Sequence, residues 1–78
     1  MDISFKIISR GSLQIHYGSK TAIISGELTF SPSVFYADLS SLIFWQPPHE
    51  KEMISPTERN YIVLFLTNQS EGTKIVFD

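Results

Sequence analysis

The chain has 78 residues and a mass of 8.9 kDa, which predicts a single small domain over residues 1–78. It contains no cysteine, so disulfide frameworks, cysteine-based zinc sites and thiol catalysis are excluded. Six Lys and Arg residues against eight Asp and Glu residues give a net charge of -2, which argues against binding to a nucleic-acid backbone.

Alternation of polar and apolar residues in the N-terminal third of the chain predicts β-strands joined by tight turns. Residues 3–7 and 13–17 place apolar side chains at every second position, as half-buried strands do. Gly18-Ser19 has the composition of a two-residue hairpin turn, because glycine adopts a positive φ without steric cost. A third strand is expected over residues 21–25, and Gly26 is predicted to interrupt or bend the chain after it.

The middle of the chain is rich in β-branched and aromatic residues. Residues 34–38 are predicted to form a strand. The stretch 39–45 fits either a further short strand or a helical turn, and the sequence leaves both open. Residues 46–54 are predicted to form a long loop, because Pro47 and Pro48 cannot donate backbone hydrogen bonds and the residues 49–52 that follow are polar.

The segment Ser55-Pro56-Thr57-Glu58 predicts the start of a helix, with Ser at the N-cap, Pro at the first helical position and Glu three residues after the cap. The helix is expected to run to about residue 69 or 70, with Gly72 as its stop. Residues 61–66 have the composition of a buried strand, but the start and stop signals favour the helix. Their all-round apolar character predicts a helix buried on more than one side. Residues 74–77 are expected to form a last strand.

These elements predict an α+β fold. We expect an antiparallel β-sheet, a meander of about five to six short strands, with one α-helix packed on one face. The helix should cover the face that carries the apolar residues of the first two strands. No apolar run approaches the ~20 residues that span a bilayer, and no leader pattern is visible at the N-terminus. A cytoplasmic protein without membrane contact is therefore expected.

Several short motifs follow one another in an order that resembles a known family. Early hairpins lead to Ser25-Gly26-Glu27-Leu28, then come Val34-Phe35-Tyr36-Ala37-Asp38 and Trp45-Gln46-Pro47-Pro48, and Lys74-Ile75-Val76-Phe77-Asp78 ends the chain. This order resembles the small bacterial immunity proteins of polymorphic-toxin and contact-dependent-inhibition systems, in particular the immunity protein 74 group. The resemblance implies a protein that neutralises a cognate toxin by covering it, without chemistry or a cofactor of its own.

Five residues are candidates for the surface that contacts such a partner: Trp45, His49, Glu50, Glu52 and Glu27. Tryptophan is enriched at binding hot spots, because it buries a large area with few torsions to restrict. The alternative is a core tryptophan packed against Pro47 or the helix.

The carboxylates among these candidates also have two interpretations each. Glu50 and Glu52 either form an acidic patch suited to a toxin with a basic active site, or belong to a solvated loop. Glu27 either makes a surface ion pair with Lys20 or Arg10, or faces a partner. Glu58 is assigned to the helix cap.

Metal binding and catalysis are not predicted. His16 and His49 come from opposite halves of the chain, and no pair of histidines is spaced to share a helix face. No nucleophile elbow surrounds a serine, and the glycines are isolated rather than clustered in a phosphate-binding loop. The main alternative to toxin inhibition is a small structural or assembly module, for example a homodimer formed through sheet edges or the apolar helix.

Overall fold

The computed structural model describes residues 2–69 and 72–77, which form a five-stranded sheet with one helix. The strands are β1 (Ile3–Ser9), β2 (Ser12–Tyr17), β3 (Lys20–Thr29), β4 (Val34–Ala37) and β5 (Lys74–Phe77). Between β4 and β5 lie a 3₁₀ turn, Leu39–Ser41, and the helix α1, Pro56–Asn68. The strands stand side by side in their sequence order. The predicted α+β class is confirmed.

The last strand corrects the prediction of an entirely antiparallel meander. Strands β1 to β4 are antiparallel neighbours, whereas β5 lies parallel to β4, with Phe35 opposite Ile75. Parallel neighbours need a long crossover connection, and the segment that contains α1 supplies it. The composition of residues 74–77 predicts a strand but carries no information on its direction.

Strand β3 is long because it takes part in two pairings. Residues 20–25 pair with β2, and residues 26–29 pair with β4. Gly26 lies where the pairing changes, and a Cβ at this position would overlap the carbonyl oxygen of Tyr36 and approach the Phe35 ring to 2.6 Å. The glycine thus marks a change of partner within one continuous strand, rather than a break between two strands.

The local signals for the turn between β2 and β3 and for the helix start are confirmed. Gly18 has φ 60°, as the turn between β2 and β3 requires. Ser55 Oγ accepts a hydrogen bond from the Glu58 backbone N–H at 3.1 Å, and Glu58 Oε1 accepts one from the Ser55 backbone N–H at 2.9 Å. This reciprocal cap satisfies two backbone donors that the helix itself leaves free, and it stabilises the helical alternative for residues 61–66.

The helix ends earlier than its predicted stop. Its last residue is Asn68, and Gln69 already has an extended backbone with ψ 150°. Gly72 has the positive φ of 57° typical of a stop, but it does not adjoin the helix end. Residue 70, one of the two predicted ends, lies outside the described residues.

The core lies between α1 and the inner face of the sheet. Its buried side chains come from β2, β3, β4, β5, α1 and the connection before α1: Leu13, Ile15, Ala22, Ile24, Phe35, Ala37, Leu42, Trp45, Ile54, Ile62, Leu66 and Ile75. At its margin, the Phe5 and Phe65 rings meet edge to face at 6.0 Å. The helix therefore covers the apolar face of β1 and β2, as predicted.

Only one side of α1 is buried. Ile62 and Leu66 are fully enclosed, whereas Tyr61 and Leu64 are 48% and 60% exposed. The expectation that the helix is buried on more than one side is therefore wrong for the isolated chain. The apolar outer residues of α1 face solvent.

Candidate functional site

The connection between the 3₁₀ turn and α1 folds back on itself as a narrow hairpin over residues 43–54. Phe44 and Met53 face each other in an isolated antiparallel bridge. The Ile54 backbone N–H donates to the Ile43 carbonyl at 2.8 Å. The sequence allowed either a short strand or a helical turn over residues 39–45. The structure contains a 3₁₀ turn first and an extended segment after it, so each alternative describes a part. We refer to this unit as the 43–54 hairpin.

The far end of the 43–54 hairpin is closed by two turns. The His49 backbone N–H donates to the Gln46 carbonyl at 2.9 Å, and the Glu52 backbone N–H donates to the His49 carbonyl at 3.0 Å. The Gln46 backbone N–H also donates to the carbonyl of Thr21 in β3 at 2.7 Å. The hairpin is thus tied to the sheet as well as to itself.

Both faces of the 43–54 hairpin are apolar. Trp45 and Ile54 are 1% and 2% exposed and belong to the core. Ile43, Phe44 and Met53 are 40%, 50% and 64% exposed. We call these three exposed residues the apolar ridge. Large contiguous patches of exposed apolar side chains are typical of surfaces that bind other macromolecules, which makes the apolar ridge a candidate.

Trp45 lies in the core, which is one of the two positions that its sequence context allowed. Its ring centroid is 5.5 Å from that of Tyr17, and Lys20 Nζ lies 5.5 Å from the same tryptophan ring. Its Nε1 makes no hydrogen bond with any described residue. The side chain is almost entirely enclosed in the isolated chain, and contact between Trp45 and a partner stays a prediction. Trp45 fixes the hairpin against β2 and β3.

Glu52 connects the 43–54 hairpin to the turn between β2 and β3. Its Oε1 lies 3.2 Å from Lys20 Nζ, and its Oε2 lies 2.9 Å from His49 Nδ1. Hydrogen bonds lower the pKa of the Glu52 carboxyl below its ordinary value, and the bond from Lys20 has a larger effect than the bond from His49. The predicted candidates His49 and Glu52 are thus brought together, as an anchor of the hairpin.

The lysine and glutamate charges around the end of the hairpin balance. Glu50 is exposed and forms no ion pair with the described residues, and the exposed Lys51 follows it directly. Lys20 and Lys51 supply as many positive charges as Glu50 and Glu52 supply negative ones. Of these two carboxylates, only Glu50 lacks an ion pair with the described residues, and a contact between the pair and a basic partner stays a prediction.

Glu27 lies apart from the other candidates, on the sheet face that α1 does not cover. It is opposite Tyr36 in β4, and Tyr36 is opposite Val76 in β5, so the three side chains form one row on this face. Tyr36 is 41% exposed. The structure does not bring Glu27 together with the 43–54 hairpin.

The ion pairs considered for Glu27 are not formed within residues 2–69 and 72–77. Lys20 pairs with Glu52 instead. The Arg10 guanidinium lies 5.7 Å from the centroid of the Phe30 ring, a cation–π geometry. Glu27 consequently remains a free surface carboxylate in the described part of the chain.

A surface depression of about 520 Å³ lies beside the apolar ridge, between the 3₁₀ turn and α1. Its lining residues are Leu39, Ser40, Leu42, Ile43 and Arg59. We call it the Arg59 groove. Neither the groove nor the apolar ridge was predicted from the sequence. The composition of residues 39–45 does not show which of their side chains are exposed, and Arg59 stood out only as a positive charge beside Glu58.

No group of three or more His, Cys, Asp or Glu side chains in the described part of the chain is arranged to hold a metal ion. Across those residues, no helix combines the length and hydrophobicity needed to cross a membrane. The 43–54 hairpin presents an apolar ridge, an adjoining groove and a few charges. Such features suit contact with another macromolecule.

A family model described as Immunity protein 74 matches residues 6–78, which include all of β2 to β5, α1 and the 43–54 hairpin. The chain belongs to the immunity protein 74 family. The resemblance carried by the order of its motifs is thereby confirmed. Membership of an immunity protein family indicates a role in toxin immunity. No curated protein and no solved structure matches the chain.

Proposed function

We propose that this immunity protein 74 family member binds a cognate bacterial toxin domain in the cytoplasm and neutralises it by covering the toxin's surface. The observation that carries the proposal is the family match over residues 6–78. The protein acts by occlusion and performs no reaction of its own. Its partner is a protein domain rather than a nucleic acid or a membrane.

The apolar ridge is the surface that best supports this binding. Ile43, Phe44 and Met53 together expose apolar area that gains about 25 cal/mol for each Å² removed from water. Aromatic residues and methionine are enriched in protein interfaces. Because the 43–54 hairpin is held by the core, by Thr21 and by Lys20, little conformational freedom is lost when a partner docks on it.

The candidates predicted from the sequence take different roles in this proposal. Glu50 is exposed near the apolar ridge and serves at the polar rim, where charges steer association more than they add affinity. Trp45, His49 and Glu52 are positioning residues, because they hold the hairpin to the fold. Glu27 is a separate candidate contact on the helix-free face of the sheet.

The protein is large enough for such an interface. Standard protein complexes bury about 800 Å² on each partner, which is roughly one sixth of the 4911 Å² that this chain exposes. The total surface of the chain therefore leaves room for one such contact surface, with the apolar ridge and the Arg59 groove at its centre in this proposal.

Co-expression tests the proposal directly. The tagged chain is expressed with the C-terminal domain encoded by the neighbouring upstream gene, and both growth and co-purification are measured. A one-to-one complex that restores growth supports the proposal. Unrestored growth together with no complex contradicts it.

One observation favours a second candidate, a homodimer formed through α1. Tyr61 and Leu64 are exposed, and with Phe65 they border a depression of about 350 Å³ on the outer side of the helix. Sedimentation velocity at increasing concentration tests this alternative. A sedimentation coefficient that stays at the monomer value throughout rules it out.

A further inference from the structure

The Arg59 groove contains a cation whose hydrogen-bonding capacity is not used within the described part of the chain. Arg59 Nε is buried and has no hydrogen-bond partner among those residues, and no described carboxylate lies within ion-pair distance of the guanidinium. Arginine keeps its charge at all physiological pH values and offers five donors in a planar fork. Arg59 is half-buried, and a buried N–H donor without an acceptor raises the free energy of the folded state.

The carboxylates that flank the groove in sequence are already engaged elsewhere. Glu58, which precedes Arg59, uses its carboxylate to cap the Ser55 backbone N–H at 2.9 Å. Asp38 accepts hydrogen bonds from both the Ser40 backbone N–H at 3.0 Å and the Ser40 hydroxyl at 2.6 Å. These contacts stabilise the two elements that form the groove walls, and they leave Arg59 available to an external acceptor.

The walls of the groove favour a charged contact with the guanidinium. Leu39, Leu42 and Ile43 are apolar, so a group that enters the groove displaces water from around Arg59. An ion pair is stronger where water is excluded, and a guanidinium–carboxylate pair is both directional and charge-assisted. Ile43 lines the groove and directly precedes Phe44 of the apolar ridge, so the groove and the ridge adjoin along the chain.

We propose that the Arg59 groove receives a carboxylate side chain of the cognate toxin, while an apolar residue next to that carboxylate rests on the apolar ridge. The inference rests on the proposed function and deepens it by assigning the chemistry of the toxin segment. That toxin segment carries a carboxylate next to an apolar residue. Glu50 and Glu52 alone would instead suggest a basic site on the toxin. The complementary charge is the unpaired guanidinium.

A binding titration with the purified toxin domain encoded by the upstream gene tests the assignment. We expect Arg59→Glu to weaken binding at least about tenfold, because it replaces an attraction by a repulsion in the groove. Arg59→Lys keeps the charge but loses the planar fork, so its loss of affinity should be smaller. Arg10→Glu, at the only other arginine, is the matched control and should bind within about twofold of wild type.

A second variant keeps the test valid if the Arg59 variants fold poorly. Ile43→Glu adds a carboxylate to the groove wall at a position that is 40% exposed, so it competes for Arg59 without disturbing the core. Its control is Ile8→Glu, at a residue of β1 that is 48% exposed. We expect Ile43→Glu to weaken binding about tenfold and Ile8→Glu to change it less than about twofold. Thermal unfolding of each variant establishes that it is folded.

The outcomes separate the two proposals. If wild type binds the toxin and the folded Arg59→Glu and Ile43→Glu variants bind within about twofold of it, the present inference is overturned and the proposed function stands. If wild type itself does not bind, both are overturned. Loss of binding in these two variants with retention in their controls supports both.

Discussion

Lys20 Nζ lies 3.2 Å from Glu52 Oε1, across 32 positions of sequence. The contact joins the turn between β2 and β3 to the 43–54 hairpin. The same ammonium lies 5.5 Å from the centroid of the buried Trp45 ring, so one lysine contacts both the core side and the solvent side of the hairpin. Lys20 thus ties the hairpin that carries the apolar ridge to the sheet.

The Glu52 anchor predicts a specific response to acid. Lys20 and His49 lower the pKa of Glu52 in the folded protein, so the carboxylate stabilises the fold above the ordinary glutamate pKa. That contribution is lost as the pH falls through the lowered folded pKa. We expect the free energy of unfolding of wild type to fall more steeply on acidification than that of Glu52→Gln. The fluorescence of Trp45, the only tryptophan, reports unfolding.

The control for the acid response is Glu50→Gln, since Glu50 is exposed and has no ion pair with the described residues. Its acid profile should follow that of wild type. If Glu52→Gln and wild type lose stability in parallel as the pH falls, the anchor does not contribute in the manner described.

The close packing around Gly26 predicts that one added methyl group lowers the stability of the fold strongly. Gly26→Ala places a Cβ against the Tyr36 carbonyl and the buried Phe35 ring, so the strand pairing must shift. We expect urea denaturation to show a loss of about 2–3 kcal/mol in the free energy of unfolding, as for overpacking in a filled core. In Gly11→Ala the new Cβ meets only an ordinary contact at 3.6 Å, and the cost should stay below about 1 kcal/mol. Equal effects of the two variants would refute the close approach.

The burial of Trp45 predicts that its removal lowers the stability of the fold. Trp45→Ala removes a fully enclosed aromatic side chain, and we expect it to lower the free energy of unfolding by about 3–5 kcal/mol. Met53→Ala, at an exposed position of the same hairpin, should change it by less than about 0.5 kcal/mol. Thermal and urea unfolding measure both. A Trp45→Ala variant as stable as wild type would show that this residue is not part of the core.

The elements predicted correctly are those fixed by short-range signals. The turn at Gly18 and the cap between Ser55 and Glu58 each depend on residues within three positions of one another, and both were predicted from that spacing. The alternation that defines β1 and β2 is likewise a local property. Such signals specify elements and the faces that they bury.

The features that were missed depend on contacts between distant parts of the chain. The parallel pairing of β5 with β4 follows from the path of the crossover, which no local pattern encodes. The pairing of Glu52 with Lys20, rather than of Glu27 with Lys20, depends on where the 43–54 hairpin folds back. The apolar ridge escaped prediction because exposed and buried residues of the hairpin have the same apolar composition.

The central claim, that the apolar ridge binds the toxin, is tested most directly by comparing two matched substitutions. Met53 on the ridge and Leu64 on the outer side of α1 are 64% and 60% exposed, so each accepts an aspartate without loss of core packing. The measurement is the Kd of the complex with the toxin domain for wild type, Met53→Asp and Leu64→Asp. We expect Met53→Asp to raise the Kd at least about tenfold and Leu64→Asp to leave it within about twofold of wild type. An unchanged Kd for Met53→Asp, or a loss of binding confined to Leu64→Asp, would contradict the claim.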